Sequence, residues 1–221
     1  MQRYLWIILL LLFGFLFSYH LYAYDDGDFQ VWNTDTEELK INKSSKIALE
    51  EELRFGENAS ELYYQHYDIG FTYSLNKSLN LGTGYRHILE RKKSKFKEEN
   101  APYGFVSLLW EIRGFKFEDR NRLEYRAYDY QTDTWRYRNK ISVKFPWKFT
   151  ALEIQPYISD EIYVHLNGIN LNQNRLSAGL GFNITKKIKG EIYYLLMTAK
   201  ASGTCTWTDA NVLGTKLKIS F

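Results

Sequence analysis

The sequence predicts an all-β fold, an antiparallel up-and-down transmembrane β-barrel, from three observations. Segments that alternate apolar and polar residues recur along most of the chain, several of them exceed ten residues, and the connections between them alternate between short and long. Strands of soluble sheets usually have about 5–6 residues, whereas a tilted membrane-spanning strand needs about 9–11. Short turns at one end and longer loops at the other are typical of bacterial outer-membrane barrels.

The composition agrees with this prediction and excludes other classes of protein. Aromatic residues make up 17% of the chain, including 18 Tyr, and charged residues 25%. Barrels place Tyr and Trp in girdles at the two membrane interfaces. The mean hydropathy of −0.42 does not argue against a membrane location, because only alternate residues of a barrel strand need be apolar. A net charge of +3 is too small to indicate a nucleic-acid partner, and the single Cys205 predicts no internal disulfide.

The first 23 residues have the pattern of a signal peptide. Arg3 precedes an apolar stretch at 5–17, and Ala23 precedes an acidic, polar start. An uncleaved N-terminal anchor is the alternative, because Leu21 stands where a cleavage site normally has a small residue. We therefore expect a signal peptide at 1–23 and a barrel domain at 24–221.

Eleven segments have the period-two pattern of strands. They are 28–35, 46–56, 62–75, 79–90, 103–113, 115–129, 134–145, 150–163, 172–185, 188–199 and 211–221. If the last strand ends in the periplasm, the ten segments from 46 to 221 close a barrel by themselves, so 46–221 is predicted as the barrel proper and 24–45 as an N-terminal segment. The extra segment 28–35 is expected in the lumen, across the periplasmic mouth, or within a barrel of twelve strands.

The two faces of the predicted strands differ in charge. On the strand at 115–129, Leu123 and Tyr125 lie on one face, while Arg122 and Glu124 lie on the other. A lipid-facing Arg or Lys at mid-membrane costs about 2–4 kcal/mol, so the charged face is expected to line the lumen. The last strand alternates in the same way and ends on Phe221, which we expect to serve as the signal for the barrel-assembly machinery.

A narrow lumen lined by long charged side chains predicts a network of ion pairs, because an unpaired charge in a shielded interior is costly. The expected members are Glu50, Glu52, Arg54, Arg86, Glu118, Arg120, Arg122, Glu124, Arg126, Arg136, Arg138, Glu153, Glu161 and Arg175. Cations outnumber carboxylates on this face, so some positive potential should remain. The inward glycines are expected to relieve crowding or to leave a recess for a ligand; they are Gly82, Gly84, Gly179 and Gly181.

Other chemistry has weaker signals. His66 and Asp68 stand two apart on one strand and are the candidates for a catalytic pair, but no Ser in a sharp nucleophile turn accompanies them. We therefore do not expect an enzyme, and no motif for a metal site or cofactor is present. Two acidic groups, at 98–100 and 160–161, are expected to carry solvated charge, with binding of a divalent cation as the alternative. Asp119 and Asn139 interrupt apolar faces and predict bulges or interfacial positions.

Several motifs resemble the domain of unknown function 2490 family of bacterial outer-membrane β-barrel proteins. They are Asp28-Phe29-Gln30-Val31-Trp32, Glu50-Glu51-Glu52-Leu53-Arg54-Phe55, Tyr63-Tyr64-Gln65-His66, Trp135-Arg136-Tyr137-Arg138-Asn139, Asp160-Glu161 and Asn172-Gln173-Asn174-Arg175. The resemblance covers nearly all of 25–221. It implies a barrel in the outer membrane of a Gram-negative bacterium, and it implies no activity.

Three hypotheses about function follow. The first is a structural barrel with an occluded lumen, or one that interacts through the predicted outer loops Arg91–Asn100 and Lys200–Ala210. The second is a narrow pore for small or anionic solutes, and the third is an outer-membrane hydrolase that uses His66 and Asp68. The expected partners are outer-membrane lipid, lipopolysaccharide and, during biogenesis, the assembly machinery, with the protein as a monomer.

Overall fold

The described part of the chain forms a closed barrel of eleven strands. The computed structural model describes residues 27–92, 94–168, 170–200 and 206–221. The strands are β1 (Asp28–Lys40), β2 (Ser45–Gly56), β3 (Glu61–Asn76), β4 (Leu79–Lys92), β5 (Lys95–Ile112), β6 (Phe115–Tyr128), β7 (Thr134–Lys144), β8 (Gln155–His165), β9 (Asn170–Asn183), β10 (Ile188–Lys200) and β11 (Trp207–Ser220). The predicted signal peptide at 1–23 and Cys205 lie outside the described residues.

The first strand is where the structure departs most from the prediction. Consecutive strands pair antiparallel, but β1 inserts between β2 and β11 and pairs with β11 in parallel, from Asp28 opposite Ala210 to Glu38 opposite Ser220. The expected counts of ten and twelve strands are therefore both wrong. The segment 28–35 lies neither in the lumen nor across a mouth, and the barrel does not begin at residue 46. The backbone groups of β1 satisfy the edges of β2 and β11, which a ten-strand barrel would pair with each other.

Two connections also differ from the prediction. The expected long loop Arg91–Asn100 is mostly strand, because β4 continues to Lys92 and β5 begins at Lys95. The connection between the strands predicted at 134–145 and 150–163 is longer than these bounds imply, because Phe149 and Ile154 form a bridge and β8 begins only at Gln155. We call the end with the connections at 57–60, 129–133 and 166–168 the loop end, and the opposite end, which includes Phe221, the turn end.

The alternation of faces is clear in the burial of the strands. Leu123, Ile141 and Ile192 are 43%, 41% and 50% exposed on the outer surface, whereas Arg122 and Glu124 are buried inside. The Arg side chains of β6 and β7 all line interior cavities. Within the described residues, no helix has the length and apolar character needed to cross a membrane.

A small polar group interrupts the apolar outer surface of β6 and β7. Asn139 donates hydrogen bonds to Asp119 (2.5 Å) and to Asn121 (3.1 Å). The pairing of β6 with β7 has no register shift at these positions, so the expected bulge is absent. The register shifts of the described strands lie between Arg54 and Phe55, near Asn76, and beside Val164.

An apolar cluster inside the barrel covers the parallel seam between β1 and β11. Trp32, Tyr193, Leu195 and Val212 pack together with exposures of 7% or less. These side chains come from β1, β10 and β11. Burial of the cluster therefore stabilises both the parallel pairing of β1 with β11 and the antiparallel pairing of β11 with β10. Burying side chains of this size contributes about 1.5–3 kcal/mol each.

Candidate functional site: the charged lumen

The register of β2, β3 and β4 brings the first group of lumen charges together. Asp68 is the cross-strand neighbour of both Glu50 and Arg86. The Arg86 side chain donates through Nε to Asp68 at 2.8 Å and through Nη2 to Glu50 at 3.3 Å. The Tyr103 hydroxyl adds a hydrogen bond of 2.6 Å to Asp68. The carboxylate of Asp68 is therefore satisfied by two donors from different strands.

A second group centres on Glu124, which is 2% exposed. Its carboxylate accepts from Arg122 at 3.3 Å, from Arg136 at 2.5 Å and from Arg138 at 2.8 Å. Arg138 also reaches Glu161 at 2.7 Å. Glu124 and Glu161 are thus bridged by a single guanidinium, and the group ties β6, β7 and β8 together on the inside.

A third group stacks guanidinium groups on aromatic rings near the seam. Arg54 bonds to Glu52 at 2.5 Å, and its guanidinium carbon lies 3.8 Å from the centre of the Trp32 ring and 4.0 Å from that of Tyr64. Arg175 approaches Trp32 at 4.8 Å. Trp32 is thereby in cation–π contact with two arginines, an arrangement whose attraction strengthens when water is excluded.

The acidic groups considered as cation sites have other surroundings. Glu99, expected in a loop, lies on β5 and forms a two-bonded ion pair with Arg126 at 2.5 and 2.6 Å. Asp160 and Glu161 point to opposite sides of β8, so they do not form a joint site. Among the residues that the structure describes, no cluster of three or more His, Cys, Asp or Glu side chains could hold a metal ion.

One expected member of the network lies elsewhere. Glu153 is in the connection between β7 and β8 at the turn end, where Lys148 contacts it at 3.0 Å. The hydrogen bond from Lys148 lowers the pKa of Glu153 below its ordinary value. The prediction that Glu153 lines the lumen is therefore wrong, because β8 begins after it. Glu118 and Arg120 do line the interior, yet neither has a salt-bridge partner in the described part of the chain.

The candidate catalytic residues both face the lumen, but each has a different partner. His66 Nε2 lies 3.2 Å from a carboxylate oxygen of Glu50, whereas Asp68 is bonded to Arg86 and Tyr103. No hydrogen bond between His66 and Asp68 is found among the described contacts. The two residues belong to the ion-pair network, and the hydrolase hypothesis stays a prediction without added support from geometry.

The space left between these side chains forms three main internal cavities. The largest, of about 580 Å³, lies toward the loop end and is lined by Tyr63, Tyr128, Tyr130 and several arginines. The central cavity has a volume of about 210 Å³, and a third of about 160 Å³ lies toward the turn end. Neighbouring cavities share lining residues: Arg138 lines the first two, and Lys140 lines the second and the third.

Aromatic rings cover several of the inward glycines. The Tyr103 ring lies over Gly84, and the Phe105 ring lies over Gly82. Tyr193 lies against Gly179 on β9 and Gly214 on β11, its two neighbouring strands. These glycines make room for ring packing, so the alternative of an open ligand recess at Gly82, Gly84 and Gly179 is not what the structure contains.

We expect Gly214→Ala to destabilise the barrel by about 1–3 kcal/mol, because overpacking a filled interior forces neighbours to move. The added methyl group would overlap the Tyr193 ring. Denaturant unfolding in detergent checks this value. Gly104→Ala is the matched control, since its nearest neighbour would be 3.8 Å away. Equal effects of the two substitutions would contradict the packing role of Tyr193.

The predicted network omits several residues that the lumen uses. Tyr103, Trp32 and Tyr163 contact its arginines through their rings, and Lys140 and Lys216 line its central cavity. Charge alternation points to the two lysines, which stand on the charged faces of their strands. The aromatic contacts have no such signal, because an inward Tyr and an outward Tyr look alike in sequence.

The fold and the interior define a closed β-barrel with a charged, largely ion-paired lumen. Residues 29–208 match the family described as Protein of unknown function (DUF2490), and the chain belongs to that family. The resemblance noted from its motifs is thereby confirmed. No curated protein and no solved structure matches the chain.

Proposed function

We propose that this protein is an outer-membrane barrel whose lumen is closed at mid-height by its ion-pair network, so that it has a structural role and does not serve as an open pore. The observation that carries the proposal is the buried group in which Glu124 binds three arginines and Arg138 continues to Glu161. Such a group resists rearrangement, because separating one partner leaves a charge buried without compensation.

The outer surface supports the membrane location. Large apolar side chains are exposed on strands around the barrel, including Leu49, Ile69, Leu108 and Leu176. Every strand has 11 to 18 residues, enough to cross a bilayer when tilted. Exposed apolar surface on this scale would be a liability in water, whereas contact with acyl chains covers it.

Aromatic residues at both ends fit the same proposal. Phe145 stacks on Trp147 at the turn end, with ring centres 5.3 Å apart. Tyr125 and Trp135 pack together toward the loop end with centres 5.1 Å apart. Aromatic girdles at both interfaces are a feature of transmembrane barrels, because amphipathic rings favour the headgroup level.

Carboxylates on the outer surface are the exception to this pattern. Asp35 and Glu37 are exposed on β1, and Asp119 and Asp160 face outward on β6 and β8. Asp119 accepts a hydrogen bond from Asn139, and Asp160 accepts one from Asn174 at 2.8 Å. These bonds reduce the cost of burial in lipid, and lipid-facing Asp and Glu are less costly than Arg and Lys.

A conductance measurement tests the closed lumen. Purified protein in planar bilayers is expected to give no current steps above those of protein-free membranes. The double substitution Glu161→Ala with Arg138→Ala, which removes the bridge to Glu124, is the comparison expected to conduct. Steady current steps from the wild-type protein would contradict a closed lumen.

A narrow path for anions is the second candidate. The central cavity is lined by three carboxylates and eight Arg or Lys side chains. A positive potential in a confined lumen favours anions over cations. If the wild-type barrel conducts, its reversal potential in a salt gradient decides between the two candidates. A reversal potential that shows a preference for chloride would favour an anion path over the structural role. The expected associations with lipid, lipopolysaccharide and the assembly machinery, the monomeric state and the role of Phe221 remain parts of the proposal.

A further inference from the structure

Three cations share one position in the lumen. Arg120, Lys140 and Lys216 each line both the central cavity and the cavity toward the turn end, so they surround the junction between the two. None of the three forms a salt bridge within the described residues. They differ in this respect from Arg86, Arg126 and Arg138, which are paired with carboxylates.

The register explains why Arg120 and Lys140 lack a carboxylate partner. They are direct cross-strand neighbours on β6 and β7, and the next inward pair along the same strands is Arg122 with Arg138. Like charges directly opposite each other destabilise a sheet. Two such pairs in succession concentrate positive charge on one wall of the lumen.

The nearest carboxylate across the next strand is already occupied. Glu161 is the cross-strand neighbour of Lys140. Its Oε1 accepts from Arg138 at 3.1 and 2.7 Å, and its Oε2 accepts from the Tyr163 hydroxyl at 3.0 Å. The ammonium group of Lys140 is therefore left without a salt bridge to Glu161.

Lys216 reaches the junction from β11. Its nitrogen lies 5.3 Å from the centre of the Tyr193 ring. The carboxylates of Glu118 and Glu191 line the cavity toward the turn end, and Glu191 is the cross-strand neighbour of Lys216, but neither carboxylate forms a salt bridge with these cations in the described contacts. The charge at the junction thus remains positive after its acidic neighbours are included.

One buried donor beside these cations also lacks a partner. Arg122 is 6% exposed and lines the central cavity, and its Nε has no hydrogen-bond partner. Buried polar atoms are normally satisfied, so the donors of the cationic groups on this wall of the lumen exceed the acceptors that the protein supplies.

We propose that Arg120, Lys140 and Lys216 bind a small oxyanion of the phosphate or sulfate class at the junction of the two cavities. A doubly charged oxyanion offers several acceptor oxygens to these cations and relieves their mutual repulsion. The central cavity, at about 210 Å³, has room for such an ion, since one water takes about 30 Å³. Binding does not depend on whether the lumen conducts.

Calorimetric titration of the detergent-solubilised barrel with inorganic phosphate tests this site. Wild-type protein is expected to bind phosphate and to gain thermal stability from it beyond the effect of chloride at equal ionic strength. Lys140→Gln and, separately, Lys216→Gln should weaken binding at least tenfold. Lys148→Gln, which removes the same charge from an exposed turn, should leave the affinity unchanged.

Glycerol 3-phosphate, a soluble phosphomonoester, distinguishes a free phosphate ion from a phosphorylated solute as the ligand. Tighter binding of inorganic phosphate assigns the site to a free ion, and tighter binding of the ester assigns it to a phosphorylated solute. The proposal is overturned if phosphate and chloride act alike on the wild type, or if Lys148→Gln weakens binding as much as Lys140→Gln and Lys216→Gln do. These outcomes are independent of the bilayer conductance that tests the closed lumen.

Discussion

Replacing Glu124 by Gln is expected to destabilise the barrel by about 3–5 kcal/mol, the range for breaking a buried ion pair by removing one partner. The substitution keeps the shape of the side chain but removes the charge that compensates Arg122, Arg136 and Arg138. Urea unfolding in detergent or lipid, followed by far-ultraviolet circular dichroism, measures the difference.

Glu118→Gln is the matched control for this experiment. Glu118 lies on the same inward face of β6 and lines the cavity toward the turn end. It forms no salt bridge with another residue that the structure describes. We expect its replacement to change the free energy of unfolding far less than Glu124→Gln does. Similar losses from the two substitutions would show that stability depends on total lumen charge and not on the group centred on Glu124.

Leu123 precedes Glu124 and lies on the outer surface of β6. If that surface is in contact with lipid, Leu123→Arg is expected to cost about 2–4 kcal/mol. Leu123 is 43% exposed, so in water the same substitution would fall within about ±0.5 kcal/mol. Unfolding of the protein folded into lipid vesicles measures the cost, and the yield of folded protein gives a second readout.

Leu152→Arg provides the comparison outside the strands. Leu152 has a similar exposure of 45% but lies in the connection between β7 and β8 at the turn end. It should tolerate the charge better than Leu123, because the interfaces cost only about 0–1 kcal/mol. A neutral effect at Leu123 would argue that the outer surface of β6 is in contact with water and would contradict the proposed membrane location.

The sequence predicted most of the strands and their faces, because the period-two pattern is strong where one face is charged. One example is β6, where the structure buries Arg122 and Glu124 and exposes Leu123, as predicted. The prediction for β1 is wrong for another reason: the segment 28–35 has the strand pattern, but the ten later segments were expected to close a barrel without it. Its outward Asn33 and Asp35 do not mark a lipid-facing strand. The pattern fails at 95–99, where a run of Lys and Glu reads as a loop although Glu99 pairs inside the barrel.

The candidate site was less predictable than the fold, for a geometric reason. Alternation tells which side chains enter the lumen, but the partner of each depends on register, as between Arg120 and Lys140. A sequence pattern of charges cannot distinguish Arg138, which bridges two carboxylates, from Lys140 two residues later, which has none. Strand boundaries matter as well: the strand predicted at 150–163 begins only at Gln155, which leaves Glu153 outside the lumen.

The parallel pairing of β1 with β11 gives the chain a polarity that an even-stranded barrel lacks. Asp28 lies level with Ala210 near the start of β11, whereas Phe221 follows the end of β11, and its amide bonds to the carbonyl of Glu38 at 2.9 Å. The first described strand therefore begins at the mouth opposite to that at which β11 ends. In a membrane, an epitope placed ahead of Asp28 and another placed after Phe221 would lie in opposite compartments. The accessibility of the two epitopes to antibody would therefore report the orientation of the barrel.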